Sequence, residues 1–187
     1  MIYVVLAAGL SRRMGFPKAF TPLPGDGSPF RRIADLLRGR DAIAVVPPAH
    51  AHDARSIAPA MRVVENSQPQ RGMAHSLRLA LRSAGAPQDF GVLLGDKPFL
   101  SPTTLSIMEG ALAEYDVAFP LSSEGVGGHP VLFAARVWER ALALPDGDTI
   151  RDLRDDPALR RNAVTVGDAG AFADVNTPAQ WEAARDA

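Results

Sequence analysis

Backbone donors and fixed cations gather near the start of the chain. Residues 2–9 read Ile-Tyr-Val-Val-Leu-Ala-Ala-Gly, and Ser11, Arg12, Arg13 and Lys18 follow closely. A turn made of Ala7, Ala8 and Gly9 has no room for a packed side chain, so main-chain N–H groups can come close to a ligand. Arg13 and Lys18 add positive charge. A polyphosphate needs both, because its charge must be neutralised and its oxygens given donors. No Gly-Lys-Ser/Thr follows, as a P-loop requires, and Gly15 lies too far from Gly9 for the dinucleotide pattern. On glycine content alone, a phosphate cradle and a plain strand-to-loop turn both stay open.

A carboxylate ends a second apolar run, Phe90-Gly91-Val92-Leu93-Leu94-Gly95-Asp96, with Lys97 and Pro98 after it. An acid at the C-terminal end of a central parallel strand lies at the mouth where α/β sheets bind ligands. There it commonly holds Mg2+ together with phosphate oxygens. Asp96 as a simple turn residue is the other reading. Lys97 is a cation beside that carboxylate, and it would repel a metal or point away to phosphate. Gly72-Met73-Ala74-His75-Ser76-Leu77 opens a helix after a polar loop. A helix start carries unpaired N–H groups and the positive dipole end, which favour an anionic or carbonyl-bearing ligand. An ordinary helix start with Ser76 in solvent is the alternative. His129, in Gly128-His129-Pro130, serves as a turn residue or as a donor to substrate. His50 and His52 read as solvated loop rather than a metal pair.

These residues need strands and helices to hold them. Apolar runs at 2–6, 42–46, 61–64, 90–96, 117–121, 128–133 and 163–166 read as strands. Helices are expected at 29–38, 51–58, 72–83, 102–114, 136–144 and 179–185, with a further one around 150–153 capped by Asp148. Ser28-Pro29, Ser101-Pro102 and Thr177-Pro178 each pair a capping hydroxyl with a first-turn proline. The alternation implies an α/β class chain: a Rossmann-like three-layer α/β/α sandwich around a mostly parallel mixed sheet. Residues 1–187 are expected to form one domain.

Composition narrows the classes. The chain has 187 residues, 47% of them hydrophobic, enough for a real core. A net charge of −1 argues against a nucleic-acid or membrane-surface protein, so any cationic site must be local. The absence of cysteine excludes disulfides and thiolate metal sites and fits a reducing, cytoplasmic setting. The N-terminus enters a strand at once, so neither a signal peptide nor a membrane span is expected.

The full first string, Leu6-Ala7-Ala8-Gly9-x-Ser11-x-Arg13-Met14-Gly15-x-x-Lys18, resembles the signature of the nucleotidyltransferases that act on molybdenum cofactor. These are the molybdopterin cytidylyl- and guanylyltransferases and their relatives, which share a glycosyltransferase-A-like α/β domain. Gly72-Met73-x-x-Ser76-Leu77, Leu94-Gly95-Asp96-x-Pro98, Gly128-His129-Pro130 and Asp174-Val175-Asn176-Thr177-Pro178 are similar to that family's later motifs, in the family's order. Gly147, Asp148 and Arg151 match only part of another family string, whose second glycine is missing, and read as structural.

The resemblance implies a site as well as an activity. An NTP would lie along Leu6, Ala7, Ala8, Gly9 and Ser11, with Arg13 and Lys18 as the catalytic cations and Gly72 and Ser76 toward the base. Asp96 and Asp174 would hold Mg2+. Gly128, His129, Pro130 and Asn176 would face the pterin substrate. The implied reaction moves a nucleoside monophosphate to the terminal phosphate of molybdopterin and releases pyrophosphate. Ala7-Ala8-Gly9 leans toward CTP, the cytidylyl branch, while Asn176-Thr177-Pro178 leans toward GTP. CTP is the expectation. A molybdoenzyme that accepts the product would be a partner. A same-fold enzyme for a sugar phosphate, and a non-catalytic carrier of the cofactor to a molybdo-hydroxylase, stay open.

Overall fold

The computed structural model describes residues 1–9, 18–22 and 27–173. The chain runs through strands β1 (Ile2–Leu6), β2 (Ala42–Val46), β3 (Arg62–Glu65), β4 (Phe90–Leu94), β5 (Val117–Leu121), β6 (Val131–Phe133) and β7 (Arg161–Thr165). The helices among the described residues are α1 (Pro29–Leu36), α2 (Ala51–Ile57), α3 (Met73–Ala84), α4 (Pro102–Leu112), α5 (Trp138–Leu142) and α6 (Ile150–Arg154). The seven strands form one sheet in the order β3-β2-β1-β4-β6-β5-β7. Every pairing is parallel except the two made by β6, which runs against β4 and β5.

Strand β1 shows why the molecule has three layers. Side chains alternate across a strand, and both faces of β1 are buried. Tyr3, Val5 and Ala7 pack with Phe30, Ile33, Ala51, Ala54, Leu105 and Met108 from α1, α2 and α4. Ile2, Val4, Leu6 and Ala8 pack with Leu77, Leu81, Trp138, Ala141, Ile150 and Leu153 from α3, α5 and α6. A sheet apolar on both faces must be covered on both faces. This is the expected α/β/α sandwich.

Local signals explain most element ends. Ser28 Oγ accepts from the Arg31 N–H at 3.2 Å and Ser101 Oγ from Thr104 at 3.1 Å, each with proline in the first turn. Asp148 does not cap α6. Thr149 does, in a capping box with Asp152. Strand β7 begins two residues earlier than its apolar pattern suggests, and His52, read as loop, lies inside α2.

At the edge where β1, β4 and β5 begin, polar groups tie the layers together. The Tyr3 hydroxyl donates to the Glu109 carboxylate, which also accepts from Arg40 Nε at 2.9 Å. Burial and then the Glu109 carboxylate push the Tyr3 hydroxyl's pKa up, while Arg40 holds Glu109 below the ordinary range. Asp116 accepts from the Arg136 guanidinium and from the Arg160 N–H at 2.7 Å. Burial raises its pKa, but the Arg160 N–H and Arg136 outweigh that and leave it lowered. Asp89 accepts from the Ala135 N–H at 2.8 Å.

Candidate functional site

From β1 the strand order goes one way through β2 and β3 and the other way through β4. Ligands of open α/β sheets bind at the carboxyl ends of the strands where the order turns. A cavity of about 290 Å³ opens there. Leu6, Ala7, Ala8, Gly9, Lys18, Gly72, Met73, Ser76, Gly95 and Asp96 line it.

The strand ends explain the small residues. Past Leu6 the chain still pairs on both sides: the Ala7 N–H donates to Val45 O and the Gly95 N–H to Leu6 O, both at 2.9 Å. The crossing is so close that a Cβ on Gly95 would stand 3.0 Å from Ala7 Cβ and 3.2 Å from Leu6 O. Ala7, Ala8 and Gly95 are buried, while Gly9 is exposed.

Lys18 enters on a tight turn, Lys18–Phe20. Ala19 is buried beneath it. The Phe20 ring lies between two others, 5.0 Å from Phe30 and stacked 4.8 Å from His50. His50 Nδ1 also lies 3.5 Å from Asp53 Oδ2. His50 is thus part of the packing that seats Lys18, not solvated loop. Among the described residues no three His, Asp or Glu side chains form a metal cluster.

The start of α3 forms the far wall. Gly72 precedes it with φ +90, and a Cβ there would meet the Gly147 backbone at 3.3 Å. The Ala74 N–H, one of the helix's free first-turn donors, is taken by Asp148 O at 3.1 Å. Arg78 donates to Leu144 O and to Asp146, and Arg71 Nε reaches Asp146 at 2.7 Å. The segment around Gly147 and Asp148 is therefore structural, as its incomplete motif suggests, and it shapes the cavity by bracing α3. Burial, then Arg71 and Arg78, hold the His75 pKa below its usual value.

Ser76, on the first turn of α3, is 6% exposed, and its Oγ accepts from Asn66 Nδ2 at 2.9 Å. Asn66 is fully buried. Its sequence setting, a polar run, reads as loop. The overlooked signal is an Asn two residues before a free backbone N–H, the Asx-turn arrangement: Asn66 Oδ1 accepts from the Gln68 N–H at 2.8 Å.

On the other side of Asp96, Lys97 turns away, its Nζ donating to Phe172 O at 2.8 Å. Gly128 and Pro130 are buried and His129 half-buried, at the start of β6 and outside the cavity wall. The His129 N–H donates to Ala171 O at 2.9 Å, and its Nδ1 lies 3.3 Å from Val92 O. A Cβ on Gly128 would meet Ala171 O and the Phe172 ring. The chain up to Ala173 is thus packed against Lys97 and Gly128. Ser11, Arg13, Asp174 and Asn176 lie outside the described residues.

A sheet with this order, one reversed strand and a cavity at its turning point has the architecture of the glycosyltransferase-A-like nucleotidyltransferases. Residues 3–163 match the model of the MobA-like NTP transferase domain, and the chain belongs to that family. It is 29% identical over 204 residues to the purine catabolism protein PucB of Bacillus subtilis (strain 168), covering 100% of this chain and 97% of that protein. It is 32% identical over 129 residues to the "Probable molybdenum cofactor guanylyltransferase" of Rhodopirellula baltica, covering 66% of this chain and 61% of that one. Rv0371c from Mycobacterium tuberculosis H37Rv superposes with a TM-score of 0.79 at 26% identity, covering 100% of this chain and 97% of that one. The same mycobacterial protein in complex with manganese superposes with a TM-score of 0.75 at 25% identity, with the same coverage. Among the described residues, no helix is long and apolar enough to cross a membrane.

Proposed function

We propose that this chain is a Mg2+-dependent cytidylyltransferase of the cytoplasm, moving CMP from CTP to the terminal phosphate of molybdopterin or its metal-loaded form. The observation that supports this most is the meeting of Lys18 and Asp96 on one cavity with the Leu6–Gly9 turn and the start of α3. The triphosphate lies along the turn after β1, held by main-chain N–H groups, Lys18 and Arg13. Gly72 and Ser76 face the base. His129, with Gly128, Pro130 and Asn176, faces the pterin.

One carboxylate on the wall suits Mg2+, which takes one or two carboxylates and completes its shell with phosphate oxygens and water. Asp96 would hold it, with Asp174 from the segment that follows Phe172. A bound ion there would supply charge neutralisation for the triphosphate. The manganese complex of the mycobacterial relative supports a divalent ion here.

The attacking phosphate is already anionic, so no side chain need act as a general base. Rate comes from alignment and from charge neutralisation by Lys18 and Arg13. The guanylyltransferase relative favours a second reading with GTP as donor. Pyrophosphate release, measured with CTP and with GTP, each with and without molybdopterin, tests both. Release with CTP that depends on molybdopterin is the expected result. Release with GTP alone transfers the assignment to the guanylyl branch. Pterin binding without release from either nucleotide leaves a carrier that delivers the cofactor to a molybdoenzyme.

A further inference from the structure

Asn66 has no part in the chemistry above, yet it is fully buried one residue past β3, and its N–H continues the sheet to Val46 O at 2.8 Å. Its side-chain amide has two ends with different chemistry. The Gln68 backbone N–H can only donate, so the end it meets at 2.8 Å is the oxygen. The other end, the NH2, then faces Ser76 Oγ at 2.9 Å. An amide NH2 accepts nothing, so Ser76 Oγ must be the acceptor of that bond. The single proton on the Ser76 hydroxyl is left to point elsewhere.

Ser76 lines the cavity. Inside the helix its proton has one ordinary alternative, the carbonyl four residues back. That carbonyl, Gly72 O, has a second lone pair beside the one that meets the Ser76 N–H at 3.5 Å, but the hydroxyl makes no bond to it: among the described residues the one side-chain partner of Ser76 Oγ is Asn66. Resting on the reading that the cavity takes an NTP, we propose that Asn66 is a positioning residue that fixes the polarity of Ser76. It makes the hydroxyl a donor into the cavity, so that Ser76 selects a base presenting a ring carbonyl. Cytosine and guanine carry one and adenine does not. An amino group set against a fixed donor leaves both donors unsatisfied, which is where discrimination arises.

The test is nucleotide binding by calorimetry in Mg2+ buffer, with CTP, GTP, ATP and inorganic tripolyphosphate, on the full chain. Asn66→Asp keeps the acceptor for Gln68 but replaces the NH2 with a carboxylate oxygen that must accept. Ser76 then donates to it and shows a lone pair to the base. At pH 8 this variant should bind the carbonyl-bearing nucleotide ~10- to 100-fold more weakly than wild type, the scale of one mispaired buried hydrogen bond. Its preference over ATP should narrow, and tripolyphosphate binding should stay unchanged. Burial raises the pKa of the introduced carboxyl. On acidification it protonates, donates to Ser76 again, and affinity relative to wild type recovers.

Ser76→Ala should lose the same preference, and combined with Asn66→Asp it should abolish that pH dependence. Asn66→Asp binding like wild type, or showing the same pH response in the Ser76→Ala background, overturns the proposal. So does an equal loss for tripolyphosphate, which places Ser76 at the phosphates. If Asn66→Asp does not fold, Ser76→Ala decides alone, and an undiminished preference over ATP overturns the proposal. Wild type that binds neither CTP nor GTP refutes the nucleotide reading itself, before any variant is compared.

Discussion

The two edges of the sheet are built from opposite materials. Where β1, β4 and β5 begin, the residues are large or charged and bond to one another: Tyr3 with Glu109 and Arg40, Asp116 with Arg136 and the Arg160 backbone, Asp89 with the Ala135 backbone. Where β1 and β4 end, the residues are Ala7, Ala8, Gly9 and Gly95, and they border a cavity with Lys18 and Asp96 on its wall. A buried charge must be paired inside the protein or it destabilises the fold. The first edge does that pairing, while the second keeps backbone close and side chains short for a ligand. Substitutions at the two edges should therefore fail in different assays.

The largest contrast is expected from the cavity cations and carboxylate. Lys18→Ala and Asp96→Ala should each reduce pyrophosphate release by at least ~10²-fold, the scale of one lost charge-stabilising contact. Their thermal midpoints should stay near that of wild type. Near-normal release by either variant would remove the assigned role.

Two glycines of one strand segment sharpen the comparison. A Cβ on Gly95 presses on Ala7 at 3.0 Å, so Gly95→Ala should shift the turn and raise the KM for the nucleotide by ~10-fold, with little change in stability. A Cβ on Gly91, nearer the other edge, would stand 2.6 Å from Leu132 and 2.8 Å from the Tyr3 ring. Gly91→Ala should cost ~1–3 kcal/mol by overpacking, read in urea unfolding, with KM unchanged. If the two outcomes were exchanged, the division between the edges would be wrong.

The smallest effect concerns acid. Asp116 and Glu109 both have pKa values below the ordinary carboxylate range in the folded protein. A depressed folded pKa gives stability that is complete above the unfolded value of about 4 and lost as pH falls through the lower folded value. The thermal midpoint should therefore drop more steeply below about pH 4 than above it. Asp116→Asn should flatten that slope, and an unchanged slope would assign the acid sensitivity to other carboxylates.

Much of this was legible because the core signals are local. Continuous apolar runs marked β1, β2, β4 and β5, which are buried on both faces. Ser28 and Ser101 marked helix starts because a hydroxyl before a proline has one good use there. The cavity residues Lys18 and Asp96 were legible through strand ends and motif resemblance. The expectations that missed depend on tertiary neighbours. Exposed β7 alternates instead of running apolar, so its start slipped. Asp148 looked like a cap, but Thr149 with Asp152 satisfies the same donors better. Asn66 sat in a polar stretch, and nothing local says that Ser76 will stand over it. His50 became part of the packing around Lys18–Phe20 only because the Phe20 ring stacks on it.

The register Leu6↔Leu94 between β1 and β4 has a consequence for biosynthesis. The strands β2 and β3 come between them in the chain but lie on the far side of β1. A ribosome must therefore extrude the polypeptide past Asp96 before any pocket exists for the ligand to find. Through that period the nascent chain gains nothing from cellular nucleotide, and binding can reward folding only after the long-range pairing has closed.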